Sequence, residues 1–176
     1  MLYVVKGEPG QTIFDLYFTL RNWAWSPNEV AIVCPVNMRG VMGAGLAAAF
    51  RERYPASVAV YKSALQSGAR GEPGLRLDTP YLGWVSELGN VLFFATKDHW
   101  REKSSLEQIE RGLKTFRAML PSMQQNVFVF PPLGCGLGGL RWEDVHPLMR
   151  ATLGTLQNYL CWVFLRAGDD AERVER

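Results

Sequence analysis

Lys97 is the residue in this sequence best suited to chemistry. It ends an apolar run that starts at Phe93 (FFATK), a pattern typical of a buried strand, so its side chain is expected to emerge at the carboxyl end of that strand. Most lysines are solvated surface residues. A lysine partly desolvated in a cleft can instead lose its proton and act as a nucleophile or base, or stay charged and stabilise an anion.

A glycine-rich loop at 131–140 contains Gly134–Gly139 (GCGLGG), which matches the pattern G-x-G-x-x-G. It follows an apolar run and precedes a helical pattern, so its backbone N–H groups could approach a phosphate closely. The alternative is a tight turn that lets helix and sheet pack closely. A nicotinamide-dependent oxidoreductase is disfavoured, because this pattern normally opens the first βαβ unit and here lies late in the chain.

A second glycine-rich loop, at 39–45, also joins an apolar run to a helical pattern (RGVMGAG). No Gly-Lys-Ser/Thr follows either loop, which argues against an NTPase. Two such loops at one sheet edge predict a cleft that holds a diphosphate. Asn37 stands just before the loop at 39–45, where its amide could bind ribose hydroxyls or satisfy its own turn.

The residues after Lys97 combine basic and aromatic side chains. His99, Trp100, Arg101 and Lys103 lie within five consecutive positions in DHWREK, a composition that can track a phosphate backbone and stack a base. The alternative is a solvated loop anchored by one tryptophan.

These residues need a sheet to position them, and the hydrophobic pattern predicts one. Strands are expected at 2–6, 30–36, 76–86, 90–95, 126–130 and 159–165. Helices are expected at 12–23, 46–53, 55–66 and 142–156, and another, capped by Ser104 or Ser105, is expected to run to about 120. A surface loop is expected at 67–74 and a turn at 88–90. Alternating strands and helices predict an α/β fold with a mostly parallel sheet, whose ligands sit beyond the carboxyl ends of the strands.

Composition bounds the function. The 176 residues are 48% hydrophobic and 20% charged, which predicts one soluble domain, and a net charge of +2 neither requires nor excludes a nucleic acid. Three scattered cysteines and two histidines disfavour a zinc site. No apolar stretch approaches the length of a membrane span, and Lys6 comes too early for a signal peptide, so a cytoplasmic location is expected.

Three stretches, 41–50 (VMGAGLAAAF), 96–104 (TKDHWREKS) and 131–142 (PPLGCGLGGLRW), together resemble the macrodomain family. That resemblance implies a three-layer α/β/α fold that binds ADP-ribose, here a single domain over 1–166 with a polar tail at 167–176. The stretches look most like DarG-type macrodomains, which remove ADP-ribose from thymidine bases in DNA. A related branch cleaves ADP-ribose from acidic side chains of proteins.

The resemblance also implies roles for individual residues. Lys97 matches the catalytic lysine, Asn37 a residue near the distal ribose, and Glu8 the carboxylate that contacts adenine. The segment with His99, Trp100, Arg101 and Lys103 is expected to contact nucleic acid. The remaining predicted ADP-ribose contacts are Val41, Met42, Gly43, Gly45, Thr96, Pro132, Leu133, Gly134, Cys135, Gly136, Leu137 and Gly138. ADP-ribose is the expected ligand, with no metal and no cofactor.

The sequence departs from the family pattern in several places. Glu8 stands where the family has aspartate, and Cys34 replaces the first asparagine of an N-x-x-N pattern. The segment at 10–28 is longer than usual. Gly138 stands where the protein-directed branch has a catalytic aspartate, whereas DarG-type domains have glycine, which favours the DNA-directed activity.

The leading hypothesis is therefore an ADP-ribosyl glycohydrolase that acts on thymidine in single-stranded DNA, an antitoxin-like activity with a DarT-like toxin as a partner. Two alternatives keep the same fold: hydrolysis of ADP-ribose linked to glutamate or aspartate, and a non-catalytic ADP-ribose reader. The domain is expected to be a monomer.

Overall fold

The computed structural model describes residues 1–24, 26–69, 81–85 and 89–168. Its strands are β1 (Leu2–Lys6), β2 (Val30–Asn37), β3 (Tyr81–Val85), β4 (Gly89–Lys97), β5 (Val127–Phe130) and β6 (Leu160–Leu165). Its helices are α1 (Ile13–Trp23), α2 (Gly45–Arg53), α3 (Pro55–Ala69), α4 (Leu106–Met119) and α5 (Trp142–Leu153), with short 3₁₀ turns at Pro27–Glu29 and Leu120–Ser122.

The six strands form one sheet in the order β1-β6-β5-β2-β4-β3. Every neighbouring pair is parallel except β3 and β4, which are antiparallel. The predicted α/β fold with a mostly parallel sheet is confirmed. β2 lies between β4 and β5, so the segments that leave these three strands emerge side by side.

Helices cover both faces of the sheet, which explains why β2 is apolar without interruption. Alternate residues of β2 point to opposite sides. Ala31 and Val33 pack in a core with α4 and α5, whereas Ile32 and Cys34 pack in a core with α1, α2 and α3. The expected three-layer α/β/α architecture is confirmed.

Three predicted boundaries were wrong. Residues 67–69 are helical rather than loop, and the Ser67 hydroxyl donates to the Ser63 carbonyl within α3. α5 ends at Leu153 rather than at 156, where Gly154 caps it. β4 covers residues 89–97 rather than the predicted 90–95, so residue 89 lies in the strand rather than in a turn. The Asn90 side chain donates to the carbonyls of Asn28 and Val30 and ties β4 to the start of β2.

The predictions for the loop at 70–74, for the strand at 76–80 and 86, and for the tail at 169–176 lie outside the described residues. Within the described ranges, no helix is both long and apolar enough to cross a bilayer.

Candidate active site

Three loops meet at the carboxyl edge of the sheet. The first glycine loop (39–45) follows β2, the lysine loop (97–104) follows β4, and the second glycine loop (131–140) follows β5. The N–H of Met38, just before the first glycine loop, donates to the Asp98 carbonyl over 3.0 Å. The N–H of Ser104 donates to the Gly138 carbonyl over 2.9 Å. The lysine loop is therefore hydrogen-bonded both to the residue before the first glycine loop and to the second glycine loop.

A β-bulge at Thr96 sets the direction of Lys97. In the β2–β4 ladder, Val36 pairs with Ala95 and Asn37 pairs with Lys97, so Thr96 is the extra residue. A bulge of this kind re-aims the next side chain. Thr96 is buried and its hydroxyl donates to the Val36 carbonyl over 3.4 Å, which anchors the bulge.

Lys97 is half-buried at the end of β4. Its Nζ donates to the Glu102 carbonyl over 3.0 Å. That carbonyl is held by a tight turn, in which the Glu102 N–H donates to the His99 carbonyl and the His99 N–H donates to the Glu102 carboxylate. The loop thereby fixes both the strand end that carries Lys97 and the acceptor that orients its amine.

Asn37 shapes the first glycine loop. Its Oδ1 accepts the N–H groups of Arg39 and Val41 over 3.1 and 3.2 Å, and its Nδ2 donates to the Val41 carbonyl over 2.7 Å. These hydrogen bonds favour the second of the two interpretations of Asn37, a residue whose side chain satisfies the polar groups of its own turn. Its contact with a ribose stays a prediction.

Buried groups on β2 and α3 support this turn. The Tyr61 hydroxyl donates to the Asn37 carbonyl over 3.0 Å, and its ring stacks on Phe93. Burial raises the pKa of Tyr61, so the hydroxyl stays a donor at neutral pH. Burial also raises the pKa of the Cys34 thiol, which is fully enclosed. Cys34 is therefore a neutral core residue where the family pattern has asparagine.

An ion pair joins the first glycine loop to the lysine loop. Arg39 Nη2 lies 2.7 Å from Asp98 Oδ2. Both side chains are about half exposed, so the pair contributes little to stability and mainly orients the two loops.

The first glycine loop offers backbone donors at the start of α2. Gly45 begins the helix with a φ of +58°, a conformation that favours glycine. No side chain caps this terminus at Ala44, and the first turn carries no acidic residue. Its N–H groups and the helix dipole therefore suit an anion. Met42 is buried under the loop, whereas Val41 is exposed.

The second glycine loop approaches the first. Leu137 is 72% exposed, and its Cδ1 lies 3.2 Å from the position that a Cβ would take on Gly45. The two glycine loops are thus in contact where Leu137 meets Gly45, and the diphosphate cleft between them stays a prediction. Gly134 has a φ of +74° and is buried with Leu133, while Pro132 and Cys135 are half-buried.

Packing requires glycine at position 138. A Cβ at this position would overlap both the Gly134 carbonyl oxygen and the Ser104 hydroxyl. By contrast, a Cβ at Gly136 or at Gly43 would meet no atom within 4 Å. The loop therefore has no room for a side chain at Gly138 but is open at Gly136 and Gly43.

The lysine loop presents an aromatic–cationic platform made of His99, Trp100 and Arg101. The His99 and Trp100 rings stack at 5.5 Å, and the Arg101 guanidinium lies 4.6 Å from the Trp100 ring centre. Trp100 is still 44% exposed, which is unusual for so large an apolar side chain. The structure brings these predicted nucleic-acid residues together beside Lys97.

Glu8 lies at the same edge of the sheet but farther along it. It follows β1, which β6 and β5 separate from β2. Its backbone N–H donates to Gln11 Oε1 over 2.8 Å, and its carboxylate is exposed. Its contact with adenine stays a prediction.

The family model described as "Macro domain" matches residues 33–149, a span that includes all three loops. The chain belongs to the macro domain family.

The curated relatives of this macro domain are longer proteins. A "DNA ADP-ribosyl glycohydrolase" of Thermus aquaticus is 33% identical over 150 residues, which are 85% of this chain and 41% of that protein. A protein of the same name from Mycobacterium tuberculosis is 37% identical over 117 residues, 66% of this chain and 32% of that protein. The chain thus spans 32–41% of the length of these relatives.

Solved structures match the whole macro domain. The "Macrodomain of Thermus aquaticus DarG" superposes with a TM-score of 0.74 at 28% identity, over 94% of this chain and 98% of that one. "Thermosipho africanus DarTG in complex with ADP-ribose" gives a TM-score of 0.70 at 28% identity, over 93% of this chain and 42% of that one.

Sequence reasoning missed several residues that organise this macro domain. The Arg39–Asp98 ion pair joins residues far apart in sequence, and the Tyr61 hydroxyl reaches Asn37 at the end of β2 from helix α3. One signal in the sequence could have drawn attention to Ser104, namely its position directly before Ser105, the capping residue of α4. Among the described residues, no three His, Cys, Asp or Glu side chains come together as a metal site would need.

Proposed function

We propose that this macro domain removes ADP-ribose from thymidine bases of single-stranded DNA, with Lys97 as its catalytic residue. The bulge at Thr96 carries the proposal, because it brings Lys97 into register with Asn37 at the sheet edge from which both glycine loops leave. The names of the curated relatives support the same activity.

The diphosphate of ADP-ribose would lie between the glycine loops. Gly43 and Gly136 support this placement, since neither backbone conformation nor packing requires glycine at either position. A close approach of ligand to backbone explains both. The start of α2 supplies N–H donors to the phosphates, and Leu137 covers them from the other loop. Glu8, farther along the sheet edge, would receive the adenine.

Lys97 would act at C1″ of the distal ribose in one of two ways. As a neutral amine, its lone pair forms a bond to C1″ while the bond from C1″ to the base breaks. The base leaves with the electron pair and takes up a proton, and water then hydrolyses the lysine adduct to release ADP-ribose and restore the amine. As an ammonium, Lys97 instead stabilises charge that develops as the bond to the base breaks.

The test uses single-stranded DNA that carries ADP-ribosylated thymidine, with loss of the modification followed on a gel. Lys97→Ala should reduce cleavage by at least about 100-fold and keep ADP-ribose binding. Lys114→Ala is the matched control, since Lys114 is paired with Glu110 on the exposed side of α4. Full activity of Lys97→Ala would overturn the assignment of Lys97.

A glutamate- or aspartate-linked ADP-ribose is the second candidate substrate. Gly138 argues against it, because the loop has no room for the aspartate that the protein-directed branch places there. The same preparation assayed on a glutamate-linked ADP-ribosyl peptide separates the two activities. Turnover of the peptide alone would replace the DNA-directed proposal, and ligand binding without turnover of either substrate would indicate a reader.

A DNA-modifying toxin is the partner that this activity implies. A relative from Thermosipho africanus, 32% identical over 140 residues, is named a fusion of a DNA ADP-ribosyl transferase and a DNA ADP-ribosyl glycohydrolase. We propose that this chain acts, as a cytoplasmic monomer, against such a transferase. Co-expression should relieve growth arrest by the transferase, and Lys97→Ala should not.

A further inference from the structure

Two exposed lysines, Lys62 and Lys103, each pack their side-chain stem against a glycine of one of the two glycine loops. Cγ and Cε of Lys62, on α3, lie 3.5 and 4.0 Å from the position that a Cβ would take on Gly40. The Lys103 stem carbons lie 3.8–4.0 Å from the corresponding position on Gly139. Each aliphatic stem therefore rests on backbone that has no side chain, and both lysines are exposed.

Neither ammonium group is paired with a carboxylate within the part of the chain that the structure describes, whereas Lys114 lies 2.6 Å from Glu110. A stem already packed on the backbone also loses less conformational freedom when its ammonium binds an anion.

The two lysines belong to segments on opposite faces of the sheet. Lys62 is on α3, whose residues Val58 and Tyr61 pack in the core with α1 and α2. Lys103 stands just before α4, which packs in the core on the other face. Lys97 ends β4 in the sheet itself, between these two helix layers.

We propose that Lys62 and Lys103 bind backbone phosphates on opposite sides of the modified nucleotide, so that the substrate strand crosses the site from α3 to the second glycine loop. This proposal rests on the DNA-directed function. The sequence predicts that Lys103 contacts nucleic acid, because basic and aromatic residues surround it. Lys62 is recognised only in the structure, where α3 brings it next to Gly40. The exposed Trp100 ring is placed to stack a neighbouring base along the same path.

The test measures kcat/KM at several salt concentrations on an oligonucleotide with one ADP-ribosyl thymidine and several nucleotides on each side. Lys62→Gln and Lys103→Gln should each make the salt dependence shallower, by about 0.7 in the slope of log kcat/KM against log salt. Lys114→Gln should keep the wild-type slope, and Lys62→Arg should restore it. ADP-ribose affinity of Lys62→Gln, measured by calorimetry, should match the wild type.

Substrates trimmed on one side then locate each lysine. Removal of one flank should abolish the effect of Lys62→Gln, and removal of the other should abolish the effect of Lys103→Gln. Dependence of both effects on the same flank overturns the crossing path. Equal slopes for Lys62→Gln and Lys114→Gln overturn the role of Lys62 while wild-type cleavage keeps the proposed function. Absence of wild-type cleavage at any salt concentration overturns the proposed function itself.

Discussion

At the scale of single residues, the glycines of the site fall into two kinds. Some must be glycine because neighbouring atoms leave no room for a side chain, and others leave the backbone open to a ligand. Gly138 is enclosed by Ser104 and by the backbone of Gly134, whereas Gly136, two positions earlier, faces open space. The same substitution at these two positions should therefore produce opposite phenotypes.

We predict that Gly138→Ala lowers the free energy of unfolding by about 1–3 kcal/mol, because the added methyl overlaps backbone that cannot move aside freely. Gly136→Ala should leave stability within about 0.5 kcal/mol, since it meets no neighbour. It should instead weaken ADP-ribose binding on the order of tenfold by narrowing the cleft. Denaturant unfolding and ligand titration of both variants measure this. Unchanged ADP-ribose affinity in Gly136→Ala would place the diphosphate elsewhere.

At the scale of elements, α1 begins with a capping arrangement between Thr12 and Asp15. The Asp15 carboxylate accepts from the Thr12 hydroxyl and from the Thr12 N–H, both over 2.7 Å. These hydrogen bonds, the hydroxyl first, hold the pKa of Asp15 below its ordinary value. The long segment before β2 is thus fixed at its start by a local polar contact.

We predict that Asp15→Asn destabilises the fold by on the order of 0.5 kcal/mol at pH 7, a small effect because Asp15 is exposed. A carboxyl with a lowered folded pKa contributes stability above its unfolded pKa of about 3.9 and loses it as the pH falls through the folded value. The difference between variant and wild type should therefore close below about pH 4. Urea unfolding at several pH values tests this, and a difference that persists in acid would refute the electrostatic account.

The sequence predicts those parts of the site that depend on local pattern. The apolar runs that become β2 and the end of β4 place Asn37 and Lys97 correctly at the ends of strands, because a short apolar run of this kind is typical of a strand buried on both faces. The Thr96 bulge, the contacts of Tyr61 and the enclosure of Gly138 were not predictable in this way. Each depends on a neighbour brought in from another strand or helix, and no pattern within one segment records that neighbour.

At the scale of the whole molecule, the three cysteines sample three environments. Cys34 lies in the core under α1, α2 and α3, Cys161 lies in the core under α4 and α5, and Cys135 lies half-buried in the second glycine loop. Burial raises the pKa of the Cys161 thiol to about 12 and raises that of Cys34 as well. Both buried thiols are therefore unreactive until the sheet opens.

We predict that an alkylating reagent modifies Cys135 in the native protein, while Cys34 and Cys161 react together and only at the rate of global unfolding. Saturating ADP-ribose should slow the reaction of Cys135, since the ligand would cover the loop. Mass spectrometry of timed samples gives the three rates. Separate rates for Cys34 and Cys161 would show that the two layers open independently.

The enclosure of Gly138 also constrains how this macro domain can evolve. Every glycine codon is a single nucleotide change away from a codon for aspartate or glutamate, so a carboxylate at this position is always close in genetic terms. The Gly134 carbonyl and the Ser104 hydroxyl nevertheless occupy the space that its first side-chain atom would need. A lineage that acquires this mutation would first lose the loop, and it could gain the new chemistry only after the backbone at Gly134 had been rebuilt. Backbone geometry, rather than mutational distance, would then separate the two kinds of linkage.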